Sequence, residues 1–177
     1  GLFIKDADGS PAQVQFWDET GAYLDFTNPD TYAWWKARVT DALLEYGIAS
    51  TWNDNNEFEV WSDKATIHNF GQPRRACESK PLHTLLMIRA SREAQAAHAP
   101  GKRPFLISRS GAAGMQRYVQ TWSGDNYTSW ETLRYNIRMG VGQPRDRFAD
   151  ALEAAPEVLP AVARDQHHAR IVADEAE

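Results

Sequence analysis

The sequence predicts an α/β protein built from parallel strand–helix units, and three observations carry that prediction. Short apolar runs with the look of buried strands alternate with longer stretches of helical periodicity. Glycine and proline fall where the helical stretches should end. Two of the strand-like runs lead directly into clusters rich in tryptophan, carboxylate, amide and arginine. Strand, helix, strand, helix in this rhythm implies parallel β/α units. Periodicity alone leaves open whether such units close into a barrel or spread into a doubly wound sheet.

The elements follow in order. Phe3-Ile4-Lys5, a turn through Asp6-Ala7-Asp8-Gly9-Ser10-Pro11, and Gln13 to Trp17 read as a hairpin. Asp6 and Asp8 beside a glycine suggest calcium, but the ligand spacing goes no further, and a turn is the plainer reading. Asn28-Pro29-Asp30 reads as a helix start, with proline at the first position and an acid in the first turn. Trp35, Val39 and Leu43 then share one face, and Gly47 is a natural stop after Tyr46. Trp34 and Trp35 read as packing residues of this helix. Ile48 to Thr51 reads as a strand, followed by irregular chain to Lys80. In that stretch His68, Cys77 and, beyond it, His83 lack metal-ligand spacing, and Arg74-Arg75 reads as a solvated pair. Residues 82 to 97 form a helix with Leu82, Leu85, Leu86 and Ala90 on one stripe, ended by Pro100-Gly101. Phe105 to Ser108 is a second buried strand. Thr128-Ser129-Trp130-Glu131 has the capping-box pattern for a helix through Met139, with Leu133 and Ile137 inward.

The chemistry concentrates at the two strand ends. Trp52-Asn53-Asp54-Asn55-Asn56-Glu57 combines an indole, two carboxylates and three amides. Indoles stack on sugar faces, and carboxylates with amides bond hydroxyls, so the set suits a carbohydrate, although an amide-rich polar turn fits the same letters. The second cluster runs from Arg109 through Trp122 to Asp125 in a glycine-rich loop. Two strand ends that each deliver Trp and Asp are what a two-carboxylate glycosidase needs.

On these residues the chain resembles glycoside hydrolase family 31, the α-glucosidase and α-xylosidase family. Trp52 to Glu57 is similar to that family's Trp-x-Asp-Met-Asn-Glu signature, with Asn55 where Met is usual. Arg109-Ser110 and Trp122-Ser123-Gly124-Asp125-Asn126 resemble its acid/base region. Trp17 and Asp25-Phe26-Thr27-Asn28-Pro29, leading into Trp34-Trp35, also follow its pattern, so the resemblance runs from about Gly1 to Gly142. It implies part of a (β/α)8 TIM-type barrel, the middle strands only, with active residues on loops after strands. It further implies that Asp54 is the nucleophile of a retaining mechanism and Asp125 the general acid and then base. Arg109 would bond substrate hydroxyls, and Trp52, Trp122 and Trp17 would line the sugar pocket, with hairpin packing the alternative for Trp17. Asp54 must stay ionised, which amide donors from Asn53, Asn55 or Asn56 would favour, and Asp125 must hold a proton, which calls for partial burial near Trp122. Glu57 would orient its neighbours, and Glu59 reads as a solvated charge. The mechanism requires neither metal nor cofactor.

The substrate class implied is an α-linked oligosaccharide cut at its non-reducing end. Asn55 makes the pocket beside Asp54 more polar and leaves α-xylosidase or transglycosylase activity open. A non-enzyme alternative is a truncated, inactive barrel piece that depends on missing barrel segments as partners, since an open barrel leaves edges unpaired. Bulk properties narrow the rest. The 177 residues make room for one ordinary domain, and a net charge of −5 argues against a nucleic-acid binder. No run is long enough for a membrane span. The single Cys77 excludes an internal disulfide and fits a reducing, cytoplasmic setting without fixing the compartment. The opening Gly1, with neither Met nor signal peptide, reads as a segment of something longer. Residues 143–177 form an alanine- and acid-rich tail unlike the family, expected to be helical or disordered.

Overall fold

The structure is a computed structural model that describes residues 1–142; the expectations for the 143–177 tail lie outside the described residues. Two compact units appear, Gly1–Trp122 and a second beginning at Ser123, and each is described by itself.

The first unit is organised around a three-stranded parallel sheet. Its strands are β3 (Ser50–Asn53), β6 (Phe105–Ser108) and β7 (Gln120–Thr121), in the order β3-β6-β7. Before them come β1 (Gln13–Phe16), β2 (Glu19–Ala22) and α1 (Pro29–Ala42). Between β3 and β6 lie the two-residue strands β4 (Thr66–Ile67) and β5 (Arg74–Arg75) and the helix α2 (Lys80–His98). β3, α2 and β6 form a β/α/β unit, as the alternation predicts. Register aligns Asn53 with Ser108 and Ser108 with Thr121, so the three strands end level. β7 was not expected, because Gln120-Thr121 is too short to show a period; it divides what reads in sequence as one loop.

Helix α1 begins as its sequence dictates. The Asn28 side chain accepts from the Asp30 amide at 3.0 Å, and Pro29 occupies the first turn, where its missing N–H costs nothing. α1 ends at Ala42; a single 3₁₀ turn through Tyr46 follows, capped by Gly47 in the left-handed region (φ 82). Ile48 is still tied back to Leu43, which is why β3 starts at Ser50 rather than at Ile48.

Side chains alternate across the sheet. Thr51, Asn53, Leu106 and Ser108 face α2, where Leu106 joins Ile88, Met115 and Val119 in one core. The apolar stripe of α2 is half-buried at Leu82 and Leu85 and fully buried at Leu86 and Ala90. A larger core joins Ile4, Phe26, Phe58, Val60, Ile67, Leu86 and Ala90, with Trp35 packed against it; Trp34 is 40% exposed. On the opposite face, Trp52 and Phe105 remain more than half exposed. A parallel sheet ordinarily has both faces covered. The described residues form no closed barrel, and this is the face a closed barrel turns inward. No helix of the described residues is long and apolar enough to cross a membrane.

The hairpin corrects one expectation. The turn at Asp6–Ser10 is present, and Lys5 bridges Pro11, but the regular antiparallel partner of Gln13–Phe16 is Glu19–Ala22. Glu19-Thr20-Gly21-Ala22 carries no apolar alternation, so the pairing was hidden. In the second unit α3 runs from Trp130 to Gly142. Its cap is Ser129, whose Oγ accepts from the Thr132 amide at 3.1 Å, rather than Thr128, so the hydroxyl that caps sits one residue later. Leu133 is half-buried, but Ile137, expected inward, is 41% exposed.

Candidate functional site

The level strand ends place three residues side by side. Immediately beyond β3, β6 and β7 stand Asp54, Arg109 and Trp122. Backbone bonds fix the alignment: the Arg109 amide donates to the Asn53 carbonyl at 3.1 Å, and the Trp122 amide to the Ser108 carbonyl at 3.2 Å.

Arg109 is the hub. Its Nε and one terminal nitrogen each donate to a different oxygen of Glu57 at 2.8 Å, the two-pronged geometry that a planar guanidinium favours. The other terminal nitrogen lies 3.4 Å from Asp54 Oδ1. The hydrogen bond from Arg109 holds the Glu57 carboxyl below the usual carboxylate range, against partial burial, which pushes it up. Asp54 is 38% exposed, so its carboxylate is open to an incoming molecule. Beside it Trp52 and Trp122 meet edge to face, with ring centres 4.8 Å apart. An indole pair beside a carboxylate–guanidinium cluster can stack a sugar ring while the charged groups bond its hydroxyls.

The amides do something other than expected. Asn53 is buried and faces α2, its Oδ1 accepting from Ser91 Oγ at 3.1 Å, while Ser91 accepts from the Trp35 indole at 2.9 Å. Asn56 is also buried: it donates to Ser108 Oγ at 2.7 Å and accepts from the Ser110 amide at 2.9 Å. Its carbonyl accepts from Thr84 Oγ1 at 2.6 Å. These two side chains therefore hold the loop from within and are not donors to Asp54. The inversion has a local cause: Asn55 adopts the left-handed region (φ 48), where asparagine is better tolerated than most residues, and this turns the chain between Asp54 and Asn56. On the far side of the loop a Cβ at Gly111 would fall 1.9 Å from Met115 Sδ, so any larger residue there would displace the Met115 side chain.

Two further expected site residues have surroundings of their own. Trp17 occupies the turn between β1 and β2 at φ 52 and is 88% exposed, so it is neither a hairpin packing residue nor stacked on the Trp52–Trp122 pair. Asp125 belongs to the second unit. There Asn126 Nδ2 donates to the Ser123 and Gly124 carbonyls at 2.8 and 3.0 Å and staples a tight turn, on which Asp125 is exposed, without the partial burial expected near Trp122. Glu59 is exposed and Glu57 is the arginine's partner, as the sequence suggests for each. Among the described residues no group of three or more His, Cys, Asp or Glu side chains could hold a metal ion.

Sequence reasoning missed the polar underside of the sheet. Thr84, Ser91 and Gln95 lie on one face of α2 and grip Asn56, Asn53 and Thr51, with Gln95 Nε2 donating to Thr51 Oγ1 at 2.9 Å. Their spacing of seven and then four residues was the available signal.

Comparison with known proteins gives the family. The family model for the glycosyl hydrolases family 31 TIM-barrel domain matches residues 1–143. Alpha-glucosidase 2 of Bacillus thermoamyloliquefaciens is 34% identical over 143 residues, and Neutral alpha-glucosidase C of Mus musculus is 32% identical over 146. These matches cover 77% and 78% of this chain but only 18% and 16% of the relatives, so the chain spans under a fifth of their length. Among solved structures, the GH31 dextranase of Flavobacterium johnsoniae complexed with glucose superposes with a TM-score of 0.68 at 26% identity. That match covers 80% of this chain and 18% of the dextranase. The chain belongs to glycosyl hydrolase family 31, as a segment of that family's TIM-barrel domain.

Proposed function

We propose that this chain carries the nucleophile side of a retaining α-glycosidase that hydrolyses non-reducing-end α-glucosidic bonds of oligosaccharides. The observation that carries the reading is Asp54, half-exposed and 3.4 Å from Arg109, at the level ends of three parallel strands. The α-glucosidase names of the relatives support the substrate class. A carboxylate open to solvent on one side and steadied by a guanidinium on the other is suited to attack an anomeric carbon.

In this mechanism Asp54 forms the bond to the anomeric carbon while Asp125 gives its proton to the departing glycosidic oxygen. Asp125 then takes a proton from water, which attacks the same carbon and releases Asp54. Retaining enzymes hold the two carboxyl groups about 5 to 5.5 Å apart. Arg109 bonds sugar hydroxyls, and Trp52 and Trp122 form the walls. The exposed face carrying Trp52 and Phe105 favours a second reading, that the rest of the barrel must cover this face before catalysis begins.

Incubation with a 5-fluoro α-glucosyl fluoride followed by intact mass and peptide mapping tests both readings. An adduct on Asp54, absent from Asp54→Ala, is expected from a competent site. An adduct elsewhere overturns the nucleophile assignment. A chain that takes no label alone but takes it when the flanking barrel segments are supplied decides for the second reading. The α-xylosyl fluoride run in parallel settles the donor sugar.

A further inference from the structure

We propose that His83 is a positioning residue for the Asp54–Glu57–Arg109 cluster, bracing its loop through Phe58, and that a proton gained by this imidazole loosens the brace. His83 has no exposed surface, and its ring stacks on Phe58 with centres 5.0 Å apart and planes 24° from parallel. Phe58 directly follows Glu57, the residue that grips Arg109, and its own backbone sits in the left-handed region at φ 54. An aromatic residue keeps that conformation only where its surroundings impose it. The next residue on α2, Thr84, bonds the Asn56 carbonyl. The helix therefore touches the loop at two adjoining points that bracket Glu57.

The Nε2 edge of the ring faces Asp25. Nε2 lies 4.0 Å from Asp25 Oδ1, which already accepts from the amide and hydroxyl of Thr27, and neither ring nitrogen has a hydrogen-bond partner among the described residues. Burial pushes the imidazole down to about 4, with the Asp25 charge opposing, so the ring is neutral at neutral pH. The charged groups on the surrounding elements are engaged elsewhere. Glu57 is held by Arg109, Glu59 is exposed, Lys80 lies over the Trp61 ring, and the His68 imidazole accepts from the Gly71 amide. Asp25 is thus the charge that a protonated ring would turn towards. Closing the 4.0 Å gap shifts the imidazolium against Phe58, loosens one of the three aromatic contacts that hold Phe58 left-handed, and unsettles Glu57 beside it.

The inference stands apart from the glycosidase reading, because its test needs no substrate. In the isotope-labelled full chain, NMR follows the His83 ring and the Arg109 Nε–H as pH falls from neutral, with the Leu106 amide in β6 reporting on global unfolding. The Arg109 signal is expected to leave its bonded position at the midpoint of the His83 titration while Leu106 is unchanged. In His83→Phe, which keeps an aromatic face but no titrating group, Arg109 should hold its position across that window. A His83 titration that leaves Arg109 unmoved, a shared loss of Leu106, or an unaltered Arg109 midpoint in His83→Phe overturns the proposal. Should that variant not fold, the two midpoints in the unsubstituted chain decide alone.

Discussion

Two aspartates of this chain sit in motifs of equal prominence, yet their surroundings divide them. Asp25 is 3% exposed; its Oδ1 accepts from the amide and hydroxyl of Thr27, and its Oδ2 from the His68 amide at 2.6 Å. Three donors from two separate stretches converge on it, and through them the loop carrying His68 is fixed to the entry of α1. Asp54 has one arginine at 3.4 Å and open solvent on its other side. The first carboxylate is consumed by the fold. The second is left with capacity to spare, which is what a group that must react with an incoming molecule needs. Hydrogen-bond saturation, more than residue type or motif position, separates a structural acid from a chemical one.

The sharpest way to break the comparison is the same substitution at both sites. Asp25→Asn sets an amide N–H against a buried donor and should cost about 3 kcal/mol, a large share of a domain's stability. Urea denaturation reads this directly. Acid tests the same region next. His83 is neutral in the fold and titrates near 4, whereas an unfolded histidine titrates near 6.5, so the unfolded chain binds the extra proton between those values. Stability should therefore hold above about pH 6.5 and fall by on the order of 2–3 kcal/mol as pH drops to about 4, a loss that His83→Phe abolishes.

The Asp54 side responds more mildly. Glu57→Gln removes the charge from the forked contact to Arg109. It should cost about 1 kcal/mol of stability and slow labelling of Asp54 roughly tenfold, because a half-exposed pair contributes little while the arginine it aims matters more. Asp54→Asn should shift stability by no more than about 0.5 kcal/mol while eliminating the glycosyl adduct. A thermal melt beside mass spectrometry checks both halves. If Asp25→Asn proved as mild as Asp54→Asn, saturation would not be the distinguishing property.

Much of the fold was legible where local chemistry and tertiary context agree. Phe105–Ser108 is bounded as its apolar letters suggest, and Asn28 caps α1 as an asparagine before Pro-Asp should. Two elements were misjudged because partners outside the segment decide them. The apolar Ile48-Ala49 reads as strand, yet the bond from Ile48 to Leu43 keeps it in the helix exit. Gln13–Phe16 pairs with a stretch that has no strand pattern of its own. In the candidate site, the placement of Asp54 and Arg109 just past strand ends was readable from residue type and order, whereas the direction of the amides was not. Asn53, Asn55 and Asn56 are chemically alike, and only the strand register and the left-handed turn at Asn55 send two of them inward. Trp17 shows the limit from the other side, because a tryptophan's letter does not say whether anything lies against it.

The inward and outward residues at the strand ends interleave along the chain: Asn53 in and Asp54 out, Asn56 in and Glu57 out, Ser108 in and Arg109 out. Frame and workpiece are thus written on alternate letters of the same short segments. For protein engineering this makes the mouth of the site modular. A combinatorial library over Trp52, Glu57 and Trp122 would explore new sugar preferences while Asn53, Asn55, Asn56 and Ser108 keep every member in one register. A library that randomised the intervening letters as well would spend most of its diversity on chains that have lost the alignment of their strand ends.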